Sequence, residues 1–376
     1  MSVIIIGNVS NDVLRTQKYF HRIGITDVHS FSTVASAVNY LSDSYKEDID
    51  LIIFDAKLTL SNCEEICQQI NSLNNWAQVP ILLSTNYEKT IIIDRVFEAG
   101  IFDFILKPFD FTQFKARVHV ALKYQQEMKL RKQQESSKLE DLAIAKKIQK
   151  NALTPSLRLN HVEFDGLYVT SNTLGGDMYC WFKIDDDLTA VLLYDVMGHG
   201  IAASLITMSI RSLLRGLITR LIDPVCVITE LNRRIYELFS DEDIDRFLVT
   251  AIYLLIDTKN GTLHYINASH PSGFLFGKYG ETVSLQSNTP ILGLFPIIPI
   301  QKKSIHLSGW HRIILYTDGL LTLHENQKID MSYFHSYASH DNAYALQKIS
   351  EKYNLSENKH TDDITVVSLT ISLEGR

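Results

Sequence analysis

Cysteine and long apolar runs are scarce in this chain, and each scarcity excludes a class of protein. Four cysteines in 376 residues form no disulfide framework, and Cys63 and Cys67 lack the second pair that a structural zinc site needs. Free buried thiols in a reducing cytoplasm are therefore expected. No apolar run approaches the roughly 20 residues that span a bilayer. The most apolar stretch, at residues 291–300, is interrupted by Pro296 and Pro299.

The chain also has no excess of positively charged residues. The chain has 36 Lys and Arg against 43 Asp and Glu, a formal net charge of -7, which argues against a general nucleic-acid binder. Residues 1–6 have no basic region ahead of their apolar run, so we expect a buried first strand there and not a signal peptide. The composition predicts a cytoplasmic globular protein without nucleic-acid or membrane partners.

At 376 residues two domains are expected, and residues 1–122 form the first. Apolar runs alternate there with helical stretches, whose apolar residues recur every three or four positions. The runs lie at residues 3–6, 28–30, 51–54, 81–83 and 104–106, and the helical stretches at 12–23, 34–44, 63–73 and 91–99. This alternation predicts an α/β fold, a doubly wound parallel five-stranded sheet with its chemistry at the carboxyl ends of the strands.

Residues 111–153 contain neither proline nor glycine and predict one long helix. Residues 129–138 are polar nearly all round, as is typical of a solvated connector. We therefore assign residues 123–153 to a helical linker, which Thr154-Pro155 ends. A homodimer through a coiled coil of this helix stays an open alternative, since its heptads are few and broken.

Residues 154–376 combine many short strand-like runs with three helical segments, and this grouping predicts an α+β layered domain. The helical segments lie at residues 201–217, 225–239 and 342–353. The strand-like runs lie at residues 163–169, 190–194, 247–256, 262–266, 274–276, 305–307, 312–316 and 365–373.

Four short acidic motifs in this second domain place aspartate beside glycine or a strand end. They lie at residues 175–177 (Gly-Gly-Asp), 195–200 (Asp-Val-Met-Gly-His-Gly), 317–319 (Thr-Asp-Gly) and 361–363 (Thr-Asp-Asp). A buried strand that ends in a carboxylate is costly unless the charge has a partner, so several in one domain indicate a shared cation. Each motif alone is commonly a turn or a helix cap. Together, without nearby cysteine or clustered histidine, they indicate a Mg²⁺ or Mn²⁺ site suited to phosphoryl chemistry.

The order of these motifs resembles a known family. Residues 143–150 before Thr154-Pro155, and then residues 175–179, 194–200, 267–271, 315–319 and 362–365, match its pattern. On them the region from about 140 to 372 resembles the SpoIIE/RsbU group of metal-dependent (PPM-type) protein serine/threonine phosphatases. That resemblance implies an antiparallel β-sandwich flanked by helices.

The resemblance also implies roles for individual residues. Asp195 would bridge two Mn²⁺ or Mg²⁺ ions, with the Val196 carbonyl completing one coordination sphere. Asp318 and Asp362 would hold the ions from other strands, and Asp177 would bind through water or at the second ion. Asp195 and Asp318 are thus the expected catalytic residues, and water activated by the metals, with no covalent nucleophile, would attack phosphorus.

The sequence differs from the family pattern at two places, and it has two histidines next to the matched motifs. Cys180 stands where the family often has a second aspartate, and Leu321-Thr322 stands where it often has Thr-Glu. Neither change removes a principal metal ligand. His199 is either a general acid or a helix-start residue, and His270 is expected to be structural.

The first domain resembles the receiver domain of bacterial two-component response regulators. Asp55 closes the third predicted strand at the position of the phospho-acceptor. The resemblance implies that Thr85 is the phosphate-sensing hydroxyl, Phe104 the aromatic switch residue and Lys107 the phosphate-pairing cation. It also makes Lys107-Pro108 a candidate cis peptide.

The receiver departs from its family at the end of the first strand. Gly7-Asn8 replaces the acidic pair that normally holds Mg²⁺, and Asp12 follows one helical turn later. Mg²⁺ binding at the receiver is therefore in doubt. Two alternatives stay open: weak or slow phosphorylation of Asp55, or a receiver fold kept as a docking platform.

Together, the two resemblances imply a response regulator that answers to a sensor histidine kinase. Its output would be removal of phosphate from serine or threonine of a partner, an anti-sigma-factor antagonist of the STAS type, in sigma-factor partner switching. The alternative is a non-enzymatic adaptor of the RssB type that binds a sigma factor or its regulator. The retention of all four acidic motifs favours the enzyme.

Overall fold

The structure is a computed structural model of the chain, and it describes residues 1–7, 11–43, 49–56, 79–86, 97–98, 100–238, 247–323, 340–355 and 360–373. The chain divides into two compact units, Met1–Leu139 and Glu140–Arg376. The predicted helix at residues 63–73, most of the one at 91–99, and Asn8 lie outside the described residues.

The first unit contains a parallel five-stranded sheet in the order β2-β1-β3-β4-β5. Its elements are β1 (Ser2–Ile6), α1 (Asn11–Arg22), β2 (Asp27–Phe31), α2 (Val34–Asp43), β3 (Ile49–Ala56), β4 (Ile81–Thr85) and β5 (Asp103–Leu106). One face of the sheet packs against α2 at Ala37, and the other against α1 at Val13 and Phe20. Because both faces are covered, the inner strands β1, β3 and β4 are largely apolar runs, and the predicted doubly wound fold is confirmed.

A single helix, α3 (Phe111–Ala152), runs 42 residues from the first unit into the second. Phe114, Val118 and Ala121 bury its first turns against the receiver sheet, as their helical spacing predicts. The helix is confirmed, whereas the predicted limits of a separate linker at residues 122 and 153 stay predictions.

The second unit contains two antiparallel sheets. Their orders are β14-β11-β10-β9-β8 and β13-β12-β15-β16-β7-β6. The strands are β6 (Leu157–Arg158), β7 (Val162–Val169), β8 (Asp177–Lys183), β9 (Leu188–Val196), β10 (Val249–Asp257), β11 (Thr262–Ala268), β12 (Gly273–Gly277), β13 (Thr282–Leu285), β14 (Lys303–His306), β15 (Trp310–Tyr316) and β16 (Ile364–Ser372). The helices are α4 (Ile201–Leu221), α5 (Pro224–Leu238), α6 (Gly319–Thr322) and α7 (Asn342–Lys352).

Three apolar cores join these elements into four layers. The facing sides of the two sheets share one core, which contains Trp181 and Leu315. The outer side of the five-stranded sheet packs against α4 and α5, and the outer side of the six-stranded sheet packs against α6 and α7. The predicted sandwich flanked by helices is confirmed, with alternating residues of each strand serving two different cores.

Helix α4 is the one described helix that is long and apolar enough to cross a membrane by length and composition. Its buried residues, including Ile210 and Leu214, lie in the core between α4 and the five-stranded sheet. The helix therefore has a place in the sandwich that accounts for its apolar side chains.

Three strands of the second unit, β6, β8 and β13, were not predicted from the sequence, and β6 has only two residues. Residues 178–182 are all apolar and buried, because one half of them faces the sheet-to-sheet core and the other half faces α4 and α5. A strand buried on both faces lacks the alternation that identifies a strand in a sequence. Strand β13 is a four-residue edge strand with two exposed positions.

Candidate metal centre and receiver site

Two aspartates of the five-stranded sheet stand directly opposite each other. Asp177 begins β8 and pairs in register with Asp195 near the end of β9. By strand alternation both side chains lie on the side that faces the other sheet, together with Tyr179 and Leu193. The pairing places two carboxylates at one end of the sandwich, between its layers.

The six-stranded sheet brings its own carboxylates to the same place. Asp318 follows β15 and Asp362 precedes β16, and these two antiparallel strands are neighbours. The charges of both residues act on Asp195 strongly enough to shift the pKa of its carboxyl group. The structure thus brings together the predicted residues Asp177, Asp195, Asp318 and Asp362.

Two buried threonines hold Asp177. Thr317 Oγ1 donates to Asp177 Oδ2 at 2.8 Å, and Thr365 Oγ1 donates to the same oxygen at 2.7 Å. Both threonines are fully buried. Because hydrogen bonds to a carboxylate favour its charged form, they fix this buried side chain in a position ready for a cation.

Asp363 differs from its neighbour Asp362. Its Oδ1 accepts hydrogen bonds from the backbone N–H and the hydroxyl of Ser171, and its Oδ2 accepts one from Gly176 N at 2.7 Å. The adjacent acids therefore divide two tasks: Asp362 contributes charge to the cluster, and Asp363 fastens the loop that carries Asp177.

Glycine is required where the loop meets β9. A Cβ on Gly176 would lie 2.8 Å from the Val196 carbonyl oxygen and 3.0 Å from that of Gly198. Gly198 and Gly200 have φ values of 92° and 85°, a region that side chains disfavour. This close approach leaves the predicted ligand atom, the Val196 carbonyl oxygen, next to the loop that carries Asp177.

The last turns of α3 clamp the same loop. Gln149 Nε2 donates to the Gly175 carbonyl at 2.7 Å, and Gly175 N donates back to Gln149 Oε1 at 3.1 Å. Thr207 of α4 donates to the Gly176 carbonyl at 2.6 Å. Both side chains are buried, so two helices position the glycine loop through its backbone.

The negative charges of Asp177, Asp195, Asp318 and Asp362 are not compensated by a described lysine or arginine. Burial, followed by the charge of Asp195, raises the pKa of Asp177 well above its usual range. Burial and the charges of Asp318 and Asp362 raise the pKa of Asp195, and burial raises that of Asp362. Among the ion pairs of described residues, none joins a lysine or arginine to these carboxylates.

These residues fit a divalent cation. The donors are carboxylate and carbonyl oxygens, the type that Mg²⁺ and Mn²⁺ prefer, and Asp177 is only 1% exposed. No three described acidic, histidine or cysteine side chains already converge into a complete ligand group. A bound cation would offset the repulsion between these like charges.

His199, His270 and Cys180, which the sequence singled out, lie in three different surroundings. His199 is exposed, its Nδ1 lies 3.2 Å from Asn172 Nδ2, and its charge acts on Asp362. His270 is buried with Nδ1 2.8 Å from Thr250 Oγ1, and burial lowers its pKa to about 3, which fits the structural role expected of it. Cys180 lies on the other face of β8 from Asp177, within the core beneath α4 and α5.

The receiver site is built around a lysine. Lys107 Nζ contacts Asp55 Oδ1 and lies 3.2 Å from Asp12 Oδ2, so one ammonium group is shared by two carboxylates. A Cβ on Gly7 would lie 2.6 Å from the Cβ of Asp55. The end of β1 thus approaches β3 too closely for a side chain at residue 7.

The remaining predicted receiver residues lie on β4 and β5. Thr85 is buried and pairs in register with Leu106, and Phe104 packs edge-on against Phe97 at 6.1 Å. The Lys107-Pro108 peptide is cis, as predicted. The switch roles of Thr85, Phe104 and Lys107 stay predictions.

Sequence reasoning missed the residues that support the carboxylates. Thr317, Thr365, Asp363 and Gln149 all lie within or next to the quoted motifs. The usable signal was a polar residue inside an apolar strand, such as Thr365, because such a residue needs a hydrogen-bond partner.

Comparison with known families covers both units. The stage II sporulation protein E (SpoIIE) family matches residues 185–372, half of the chain. The response regulator receiver domain matches residues 3–119.

Individual relatives resemble parts of the chain. The phosphoserine phosphatase RsbP of Bacillus subtilis is 38% identical over 181 residues, 48% of this chain and 45% of RsbP. The phosphoserine phosphatase RsbU of the same organism is 26% identical over 200 residues, 52% of this chain and 58% of RsbU. The chain thus matches about half the length of these relatives.

A solved structure supports the fold of the second unit. The SiaA-PP2C domain of Pseudomonas aeruginosa superposes with a TM-score of 0.54 at 19% identity, and the match covers 62% of this chain and 97% of that domain. This likeness concerns the sandwich architecture alone.

Proposed function

The chain belongs to the SpoIIE family, and from that premise we propose that it is a response regulator whose output is metal-dependent removal of phosphate from serine or threonine of a partner protein. One observation carries the proposal. Carboxylates from both sheets of the sandwich meet at one end of it, and no described lysine or arginine forms an ion pair with them. A cation from solution would complete such a site.

In this proposal two Mn²⁺ or Mg²⁺ ions bind to Asp177, Asp195, Asp318, Asp362 and the Val196 carbonyl. When bound, the ions supply positive charge for the phosphoryl oxygens and acidify water. The protein itself orients the ligands, since Thr317 and Thr365 hold Asp177. No covalent nucleophile is required, and Cys180, the nearest thiol in sequence, lies on the other face of β8.

His199 has a place suited to proton delivery to the serine leaving group. Its Nδ1 faces the amide nitrogen of Asn172. In the imidazolium form, which is the one that can act as a general acid, both ring nitrogens carry protons, so the amide of Asn172 would present its oxygen to Nδ1. The general-acid alternative for His199 therefore stays part of the proposal.

The receiver would supply the input through phosphorylation of Asp55 by a sensor histidine kinase. Lys107 is in place to pair with the phosphoryl group, and Asp12 supplies a carboxylate beside it in the absence of the usual acidic pair. Helix α3 would carry the state of the receiver onward, because its Gln149 holds the backbone of the glycine loop.

The substrate and setting rest on the family resemblance. The relatives RsbP and RsbU are both named phosphoserine phosphatases. We therefore extend phosphoserine hydrolysis to this chain, with a phosphorylated STAS-type antagonist of an anti-sigma factor as the substrate. The protein would act in the cytoplasm, and α3 offers exposed apolar residues, among them Leu139 and Ile144, to a homodimer.

A phosphate-release assay tests the proposal. The full chain is incubated with Mn²⁺ and a serine-phosphorylated STAS protein, with and without beryllofluoride as a mimic of phosphorylated Asp55. Hydrolysis should require Mn²⁺ and should fall at least about 100-fold in Asp195→Asn, because that change removes charge from the centre of the cluster. Asp55→Ala should abolish the response to beryllofluoride.

The same assay can contradict the proposal. If the wild-type chain binds phosphorylated and unphosphorylated STAS proteins or a sigma factor but releases no phosphate with Mn²⁺ or Mg²⁺, it is an adaptor of the RssB type. If Asp55→Ala responds to beryllofluoride like wild type, the receiver is a docking platform.

A further inference from the structure

The Tyr168 hydroxyl is a buried polar group for which no hydrogen-bond partner is found among the described residues. Tyr168 belongs to β7 and stands directly opposite Thr365 of β16. Thr365 in turn donates to Asp177. The unpartnered hydroxyl is therefore one strand away from a side chain that holds the acidic cluster.

Glycine at position 175 makes room for this hydroxyl. A Cβ there would lie 2.6 Å from the Tyr168 hydroxyl oxygen and 2.9 Å from Asp363 Oδ2. The hydroxyl and the carboxylate consequently flank the same glycine, on the loop that carries Asp177. The charges of Asp177 and Asp363 both act on Tyr168 and, with burial, raise its pKa.

A buried donor without an acceptor destabilises the folded chain, and native proteins leave few such groups. The acceptors closest at hand are carboxylates, and an ionised carboxylate offers about four lone-pair sites. Asp363 already accepts three hydrogen bonds and Asp177 two at Oδ2. Asp363 keeps one site, but its Oδ2, which flanks the same glycine, makes no hydrogen bond with Tyr168. Asp177 Oδ1 lies outside both threonine hydrogen bonds and is the acceptor that a bound cation could bring within reach.

We propose that Tyr168 is a positioning residue of the metal centre, whose hydroxyl, beside the loop that carries Asp177, donates to Asp177 when bound divalent cations draw the carboxylates together. The inference rests on the proposed function, because it needs the cluster to bind cations. The tyrosine touches neither phosphate nor water of the reaction. It acts by fixing the orientation of a ligand, and such outer partners commonly change metal affinity 10- to 100-fold.

The chain provides a matched control. Tyr253 of β10 is fully buried in the core beneath α4 and α5, and its hydroxyl also finds no partner among the described residues. Tyr253→Phe therefore removes an equally buried hydroxyl away from the acidic cluster, and any general effect of losing such a group will be common to both variants.

Calorimetric titration of Mn²⁺ into the full chain is the test. Tyr168→Phe should bind Mn²⁺ at least about 10-fold more weakly than wild type, and Tyr253→Phe within about two-fold of it. Without metal, both variants should melt at or above the wild-type temperature, because each loses an unpartnered buried group. At saturating Mn²⁺, kcat of Tyr168→Phe should return to within a few-fold of wild type.

Three results would overturn the inference. Mn²⁺ affinity of Tyr168→Phe equal to that of Tyr253→Phe would show that the hydroxyl has no part in the site. A kcat that stays low at saturating Mn²⁺ would make Tyr168 a participant in the chemistry. If the wild-type chain binds no Mn²⁺, the proposed metal centre itself is wrong. If the wild-type chain binds Mn²⁺ and Tyr168→Phe binds it equally well, only the inference about Tyr168 is wrong.

Discussion

The two units each place carboxylates at strand ends, but they differ in the source of the compensating charge. In the first unit Lys107 Nζ contacts Asp55 and Asp12, and its side chain is only 9% exposed. In the second unit the cluster around Asp195 has no ion pair with a described lysine or arginine, and burial raises the pKa of its members. One site carries its own cation, whereas the other has no ion pair with a described lysine or arginine and has the oxygen donors that suit a divalent cation.

Because of this difference, acidic residues at strand ends have different electrostatic surroundings in the two units. In the first unit Gly7 lies against Asp55 without space for a side chain, and Lys107 Nζ contacts the Asp55 carboxylate. Among the described residues no lysine or arginine forms an ion pair with the acidic cluster, so ionising its buried carboxylates costs stability unless a cation binds.

The largest effect is expected when Lys107, the cation of the first unit, is removed. Lys107→Met leaves Asp55, whose side chain is 10% exposed, without its partner, and should destabilise the first unit by about 3 kcal/mol or more. Urea unfolding followed by circular dichroism measures the loss. Adding Asp55→Asn to Lys107→Met should recover most of it, because the unpaired charge is gone.

Lys123→Met, at an exposed position of the same unit, serves as the control and should change the free energy of unfolding by no more than about 0.5 kcal/mol. Equal losses in Lys107→Met and Lys123→Met would show that the receiver site does not depend on its lysine.

The pH dependence of stability should separate the cluster from ordinary surface carboxylates. The pKa of Asp195 is raised in the folded chain, so its contribution to stability is complete below about pH 4 and is lost as pH rises through the raised value. Relative to Asp195→Asn, metal-free wild type should therefore lose up to about 1.4 kcal/mol per pH unit in that window. Thermal melts at several pH values provide the measurement.

Excess Mn²⁺ should reverse this trend, because cation binding favours the ionised carboxylates. A wild-type chain whose stability relative to Asp195→Asn rises with pH in the absence of metal would contradict the account of uncompensated charge.

The fold and the principal carboxylates followed from the sequence because they leave local signals. The βα alternation predicts the receiver sheet, and the absence of proline and glycine predicts helix α3. Asp195 and Asp318 were identifiable because each follows a buried apolar run and precedes a glycine turn. The sequence features that identify Asp195 and Asp318 all lie within a few residues of them along the chain.

The supporting residues were not predictable because their partners are distant in sequence. Thr365 and Asp177 are 188 residues apart, and Gln149 and Gly175 are 26 apart. Strand β8 gave no alternation because it is buried on both faces. The role of Asp363, which fastens the loop that carries Asp177, also depends on contacts that only the folded chain makes.

The stoichiometry of Mn²⁺ binding to the full chain, measured by calorimetry, tests the central claim most directly. We predict that wild type and Asp55→Asn bind Mn²⁺ alike, and that Asp195→Asn loses that binding, because Asp55 already pairs with Lys107 whereas no described lysine or arginine pairs with the cluster around Asp195. Loss of Mn²⁺ binding in Asp55→Asn with full binding in Asp195→Asn would contradict the account.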